Sequence, residues 1–161
     1  MPPKFNNMAV PQKDKVFVGL QFLVFIAWII DMDAWNFKLS SNLSALSLII
    51  AVIGLVLVLI AFLQLNTNLS PFPSPKKGAK LVTGGVFAFA RHPIYSGILF
   101  MAFGISIWLG SGYKLAISVL LYLVFYFKSR YEEQRLTEAF PDYEVYREQT
   151  GRFFPKFKGR I

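Results

Sequence analysis

The sequence contains no cysteine, one histidine and few charged residues, which make up 16% of its 161 positions. The absence of cysteine excludes disulfides, thiolate metal sites, a cysteine nucleophile and palmitoylation, and we expect no metal site. A soluble domain usually has about 25% charged residues. The deficit here is uneven, because long uncharged runs alternate with short charged ones, and 55% of the residues are hydrophobic. This distribution is typical of a membrane protein, and the length fits one domain.

Basic residues outnumber acidic ones by 17 to 9, which gives a net charge of +8. Such a surplus also occurs in proteins that bind nucleic acid. In this chain, however, the basic residues flank apolar runs, where each attracts anionic headgroups by about 1 kcal/mol. We therefore expect membrane lipid, and no nucleic acid, as the partner.

Four apolar runs reach or approach the roughly 20 residues that a helix needs to cross a bilayer. They are residues 16–35, 43–65, 94–109 and 115–127. The fourth run is short unless Lys114 and Lys128 extend their stems to the interface. Residues 110–112 leave room only for a tight turn, so the last two runs should form a helical hairpin. The predicted fold is all-α: a polytopic membrane protein with about four transmembrane helices, a C-terminal helical hairpin and a cytosolic helical tail.

Lysines and arginines concentrate in the N-terminal tail, in the loop after the second apolar run and in the C-terminal tail. The two remaining loops each carry one lysine, Lys38 or Lys114. Since basic loops stay on the cytoplasmic side of a membrane, we expect both termini and the long loop after the second apolar run to be cytoplasmic. We call this loop, residues 66–91, the middle loop. The chain is interpreted as a multi-pass protein of a bacterial inner membrane.

The middle loop contains two features that restrict the backbone. Residues 69–75 have prolines at alternate positions, which makes this segment extended and stiff, and its simplest interpretation is a spacer. Gly84 and Gly85 permit a sharp turn or a close approach of the backbone to a ligand.

His92 is the single histidine, and it lies just before the third apolar run. Pro93 suits the first turn of a helix, where its missing N–H is not needed. His92 either caps this helix at the interface or forms a polar site with Arg91 and Tyr95.

Residues 129–140 are predicted to continue the fourth run as a helix that ends at Pro141. Glu132 and Glu133 lie in its first turns, and Glu132 shares a face with Leu136. The two glutamates either form a solvated acidic face paired with Lys128, Arg130 and Arg135, or one of them points inward and binds a cationic group of a ligand.

Taken together, these residues resemble the integral-membrane methyltransferases, a superfamily that includes isoprenylcysteine carboxyl methyltransferase and the phospholipid (phosphatidylethanolamine) N-methyltransferases. The resemblance covers roughly residues 66–155. It depends on the order and spacing of Leu81-Val-Thr-Gly-Gly, Arg91-His-Pro-x-Tyr95, Glu132-Glu-x-x-Leu136, Phe140, Tyr143, Tyr146 and Pro155. It implies a catalytic half, residues 66–161, that follows an N-terminal part, residues 1–65, containing the tail and the first two helices.

The resemblance implies an S-adenosyl-L-methionine site at the cytosolic mouth of the hairpin, with methyl transfer to a lipid or lipid-tailed acceptor. That acceptor would be the carboxylate of a prenylcysteine-like molecule or the amine of a phospholipid headgroup. His92, Glu132 and Arg130 are implied to be catalytic, and Lys128 or Arg130 to contact the substrate. The residues implied to contact the cofactor are Ala79, Lys80, Leu81, Val82, Phe87, His92, Pro93, Ile94, Tyr95 and Glu132.

Two alternatives are left open by the residues. Sterol reductases share an Arg-His-x-x-Tyr element and bind NADPH, although they are much longer and their C-terminal motif differs. A non-enzymatic membrane scaffold would use its basic tail to bind lipid or a partner and would bind no cofactor. No feature of the sequence assigns an oligomeric state.

Overall fold

The computed structural model describes residues 10–30, 32, 35–76 and 78–156. Residues 31, 33 and 34 of the first predicted span therefore lie outside the described residues. Within the described part, the chain forms no β-strand and five α-helices: α1 (Gln12–Ile29), α2 (Ser41–Leu65), α3 (Pro93–Trp108), α4 (Gly112–Ala139) and α5 (Tyr143–Gln149). The prediction of an all-α fold is confirmed.

Helices α2 and α4 are long and apolar enough to cross a bilayer, whereas α1 has 18 residues and α3 has 16. The bounds of α2 and α3 lie close to the predicted runs 43–65 and 94–109. Helix α4 contains the predicted run 115–127 and continues unbroken to Ala139, so the apolar run and the first part of the tail form one helix. The four-span topology stays a prediction.

Helix α1 differs from the predicted run 16–35, because it begins at Gln12 and ends at Ile29. A helix leaves its last carbonyls without intrahelical partners. Here Lys114 at the start of α4 donates from Nζ to the carbonyl oxygen of Trp28 at 2.9 Å. The end of α1 is therefore set by a contact between distant segments.

Helices α2 and α3 pack with their backbones almost in contact. A Cβ added to Gly54 of α2 would lie 2.5 Å from the carbonyl oxygen of Gly97, and one added to Gly97 would lie 2.5 Å from that of Gly54. A Cβ on Gly104, two turns along α3, would lie 2.6 Å from the carbonyl oxygen of Ser47. Small residues allow this close approach, which supplies the van der Waals packing on which helix association in lipid depends.

The end of the chain folds back onto the segment before α3. The N–H of Arg91 donates to the carbonyl of Gly151 at 2.9 Å, and the N–H of His92 donates to the carbonyl of Arg152 at 3.0 Å. Ala90 and Gly151 form an isolated parallel bridge. This pairing places the residues after α5 against the start of α3.

Glu133 of α4 joins these two segments. Its buried carboxylate accepts from Arg91 Nε at 3.0 Å and from Arg152 Nη2 at 2.7 Å, and it lies 3.2 Å from His92 Nε2. Glu133 lies beyond the apolar part of α4, which ends at Phe127. Burial alone would raise the pKa of its carboxyl, but hydrogen bonds from His92 and Arg152 outweigh burial and hold this pKa well below its ordinary value.

We expect Gly97→Ala to lower the thermal stability of the protein in detergent, although alanine is the better helix former. Its Cβ would overlap the backbone of α2, and overpacking costs about 1–3 kcal/mol. Gly19→Ala in α1 is the matched control, because nothing lies within 4 Å of the added Cβ. An unchanged or higher melting temperature for Gly97→Ala would contradict the close packing of α2 and α3.

Glu133→Gln should destabilise the protein by about 3 kcal/mol, because it leaves buried cations without their counter-charge. Limited proteolysis should then cut the C-terminal tail sooner. Glu138→Gln is the control, since Glu138 is 63% exposed in its pair with Arg135 and such pairs contribute little. Equal melting temperatures for the two variants would contradict the stabilising role assigned to Glu133.

The contribution of Glu133 to the stability of the folded protein should also depend on pH. Its folded pKa is lower than its ordinary value of 4.5, so its stabilisation is fully present above that value and is lost as the pH falls toward the folded pKa. The difference in melting temperature between wild type and Glu133→Gln should hold steady down to about pH 5 and shrink below it. A difference that grows on acidification would contradict this assignment.

Candidate functional site

A cavity of about 400 Å³ lies at the end of the bundle where α1 begins and α2 ends, a size typical of small-molecule sites. Its walls come from the middle loop, the start of α3, the part of α4 beyond its apolar run, and α5. All ten residues that the resemblance implied as cofactor contacts line it: Ala79, Lys80, Leu81, Val82, Phe87, His92, Pro93, Ile94, Tyr95 and Glu132. Lys128 lines it as well. Arg130 does not, because it lies exposed on another face of α4.

The stacked rings of His92 and Tyr95 form one wall of the cavity (the aromatic wall), and Phe125 packs against Tyr95 without lining the cavity itself. The rings of His92 and Tyr95 are 5.3 Å apart and nearly parallel, and those of Tyr95 and Phe125 are 4.5 Å apart. The hydroxyl of Tyr95 donates to Oε2 of Glu132 at 2.8 Å. Glu132 is thereby oriented beside aromatic faces while its side chain stays 24% exposed. A partly open carboxylate with aromatic neighbours suits a cationic ligand group.

The two adjacent glutamates have different environments, because successive residues on a helix point about 100° apart. Glu132 lines the cavity, whereas Glu133 is occupied by cations of the loop and the tail. The pairing expected of a solvated acidic face is not found among the described residues. Arg135 pairs with Glu138, and Lys128 binds uncharged oxygens instead.

Lys128 is buried one turn before Glu132. Its Nζ donates to Oε1 of Gln21 on α1 at 2.6 Å and to the carbonyl of Pro71 at 2.9 Å. It also lies 5.3 Å from the centre of the Tyr95 ring. Lys128 therefore places a positive charge where α1, the middle loop and the aromatic wall meet.

The proline-containing segment, residues 69–75 (the proline loop), is part of the cavity wall, so it is more than a spacer. Its Pro73 is buried. Asp14 of α1, also buried, accepts from the N–H of Ser74 at 3.0 Å and from its hydroxyl at 3.2 Å. The first turn of α1 thus holds the proline loop against the cavity. Sequence reasoning missed Asp14, since its partner lies 60 residues away.

The glycine pair forms the predicted sharp turn. Gly85 has φ of 61°, and a Cβ there would overlap the side chain of Gln64. The Oε1 atom of Gln64 accepts from the N–H of Val86 at 3.0 Å, which ties the turn to the end of α2. The carbonyl of Phe87 then accepts from the hydroxyl of Tyr146 at 2.6 Å, which places Phe87 in the wall. Gln64 is a positioning residue that the sequence did not reveal.

Tyr143 lines the cavity from α5, and its buried hydroxyl has no hydrogen-bond partner among the described residues. Buried polar groups are normally paired, so this hydroxyl is available to a ligand. Burial raises the pKa of Tyr143, and burial also raises that of Tyr146 to about 12. Both hydroxyls are therefore protonated donors at neutral pH. Sequence reasoning had given Tyr143 no site role.

Comparisons with known proteins agree with this geometry. The profile of the phospholipid methyltransferase family matches residues 43–143, which include the middle loop, His92 and Glu132. Among solved structures, the chain is similar to a eukaryotic intramembrane Ras methyltransferase, isoprenylcysteine carboxyl methyltransferase, with 25% sequence identity and a TM-score of 0.66. The match covers 91% of this chain and 54% of that one, so the chain spans about half the length of that enzyme. No curated protein sequence matches the chain.

The profile match extends over more than half of the chain, and the similar structure is a membrane enzyme that transfers methyl groups. The apolar helices agree with an integral membrane location. Neither comparison favours a reductase or a scaffold. The chain belongs to the phospholipid methyltransferase family, within the superfamily of integral-membrane methyltransferases.

Proposed function

We propose that the protein transfers a methyl group from S-adenosyl-L-methionine to a lipid or lipid-tailed acceptor at the membrane interface. The observation that carries this proposal is the position of Glu132, whose carboxylate faces the cavity beside stacked aromatic rings. The donor molecule carries an ammonium, a sulfonium and a carboxylate. It fits a cavity with an anionic side chain, aromatic faces and the free hydroxyl of Tyr143.

Each part of the cavity has a proposed role toward the donor. Glu132 binds its ammonium group, and the hydroxyl of Tyr143 donates a hydrogen bond to its carboxylate. The backbone of residues 79–82 lies along the donor molecule. The ring of His92 is held in place by Glu133 and by stacking on Tyr95. When bound, S-adenosyl-L-methionine supplies a methyl group activated by its sulfonium.

Methyl transfer depends on alignment and exclusion of water more than on acid–base groups, because charge is neutralised with a carboxylate acceptor and only moves from sulfur to nitrogen with an amine acceptor. The proline loop and the aromatic wall are suited to exclude water. A carboxylate acceptor needs no base. An amine acceptor has to lose a proton, and His92 or Glu132 lies in the cavity to accept it.

The first two helices supply the acceptor side of the cavity in this proposal. Gln21 and Phe25 of α1 and Phe62 and Leu65 of α2 line it. We propose that residues 1–65 select the acceptor and that residues 66–161 hold the donor. The acceptor is the carboxylate of a prenylcysteine-like molecule or the amine of a phospholipid headgroup. The basic loops support a cytoplasmic location for this end of the bundle.

Lys128 is the proposed contact to the acceptor, because its ammonium lies where the two sides of the cavity meet. The resemblance had allowed Arg130 for the same role, and had also implied that Arg130 is catalytic. Since Arg130 lies outside the cavity, we assign the acceptor contact to Lys128 alone.

Glu132→Gln should lower the affinity for S-adenosylhomocysteine by about tenfold or more, since a hydrogen bond to a charged group contributes about 1.5–3 kcal/mol. Isothermal titration calorimetry on the purified protein measures this change. Glu138→Gln, an exposed charge on the same helix, should bind like wild type. Equal affinities for wild type and Glu132→Gln would remove Glu132 from the donor site.

Incubation with labelled S-adenosyl-L-methionine and a membrane lipid extract should transfer label to lipid. Label in a base-labile ester identifies a carboxylate acceptor, and label in a headgroup identifies an amine. Lys128→Gln should slow transfer while leaving the affinity for S-adenosylhomocysteine near that of wild type. Thermal stabilisation by NADPH alone, with no transfer of label, would overturn the proposed function.

A further inference from the structure

A second groove lies between α1 and α4, and it shares no lining residue with the cavity. It is open and about 620 Å³ in volume. Val16 and Phe17 of α1 and Phe127 of α4 form its apolar part, and Lys13 and Arg130 its charged part. We call it the α1–α4 groove.

The charged and apolar parts of the groove are arranged in the same way on both helices. Lys13 lies three residues before Val16, and Arg130 lies three residues after Phe127, so each cation shares a helix face with an apolar residue. Helix α1 starts and α4 leaves its apolar run at the same end of the bundle. Both cations therefore lie beyond the apolar residues, at the end of the bundle where the apolar runs of the two helices stop.

The charge of the groove is positive and unbalanced. Its lining contains no acidic residue. In the described part of the chain, neither Lys13 nor Arg130 forms a salt bridge. Lys13 lies 6.0 Å from the ring of Tyr131 instead. The carboxylate of Asp14, next to Lys13, is buried and bound to Ser74.

We propose that the α1–α4 groove binds an anionic phospholipid of the surrounding bilayer. Its phosphate lies between Lys13 and Arg130, and its acyl chains follow the apolar surface formed by Val16, Phe17 and Phe127. A bilayer lipid carries an anionic phosphate next to apolar acyl chains, which matches the order of the charged and apolar parts of the groove. A free phosphate lacks the acyl chains, and a zwitterionic headgroup brings a cation that opposes the two on the protein.

This site is independent of the proposed methyl transfer, and it gives Arg130 a function outside the cavity. It also has a structural consequence, because Lys13 is adjacent to Asp14, which holds the proline loop. A lipid bound between α1 and α4 steadies the first turn of α1 and raises the thermal stability of the protein.

The test compares lipids and variants by thermal unfolding of the purified full-length protein in detergent. Phosphatidylglycerol should raise the melting temperature of wild type, whereas equal amounts of phosphatidylcholine or inorganic phosphate should not. Lys13→Gln combined with Arg130→Gln should weaken the response to phosphatidylglycerol on the order of tenfold. Arg130→Gln alone, at an exposed position, should weaken the response to phosphatidylglycerol by a smaller factor. This single variant replaces the double variant in the test if the double variant does not fold.

The matched control combines Lys15→Gln with Lys156→Gln, which removes the same charge at exposed positions outside the groove. It should respond to phosphatidylglycerol like wild type. An equal loss in this control would reduce the effect to general surface charge and overturn the proposal. The proposal would also be overturned if both groove variants responded to phosphatidylglycerol like wild type. It would be overturned as well if phosphatidylcholine or inorganic phosphate raised the melting temperature of wild type as much as phosphatidylglycerol does.

Discussion

The buried carboxylate of Glu133 holds together the segments that form the cavity. It binds cations from the loop before α3 and from the tail after α5, and it comes itself from α4. Without it, the nearly buried Arg91 would have no counter-charge and Arg152 would lose its salt bridge, and a buried charge is costly in isolation. The neighbouring Glu132 is left free to face a ligand because Glu133 satisfies the cations around it. One glutamate thus stabilises the fold, and the other is available for binding.

The all-α fold and the positions of α2, α3 and most of α4 could be predicted, because an apolar run of sufficient length determines a membrane helix locally. The end of α1 could not, since it depends on Lys114, which is 86 residues from Trp28. The resemblance named ten cavity-lining residues as cofactor contacts, whereas the proline loop and Tyr143 were not expected to line a site. The residues alone left open which of Glu132 and Glu133 faces inward, because the rotation of α4 depends on distant partners of Glu133 and Lys128.

The cavity combines two kinds of wall that solve different physical problems. Residues 79–82 and the buried Tyr143 and Tyr146 form the side proposed for the donor, where a polar molecule requires oriented partners. Apolar side chains of α1 and α2 contribute the other side, and these helices have large lipid-facing surfaces. The α2–α3 glycine contact joins the two, since α3 begins with the residues of the aromatic wall. Because the protein lies in a membrane, one cavity can have a wall near the aqueous phase and a wall near the lipid.

The bond between Asp14 and Ser74 has a consequence for motion. Separating the two would remove both Ser74 donors from a buried carboxylate, which is costly, so α1 and the proline loop are mechanically coupled. Any displacement of α1 that widens the cavity toward the lipid therefore also shifts the loop that covers the polar side. Two hydrogen bonds thus couple the width of the cavity between the helices to the position of the loop in its wall.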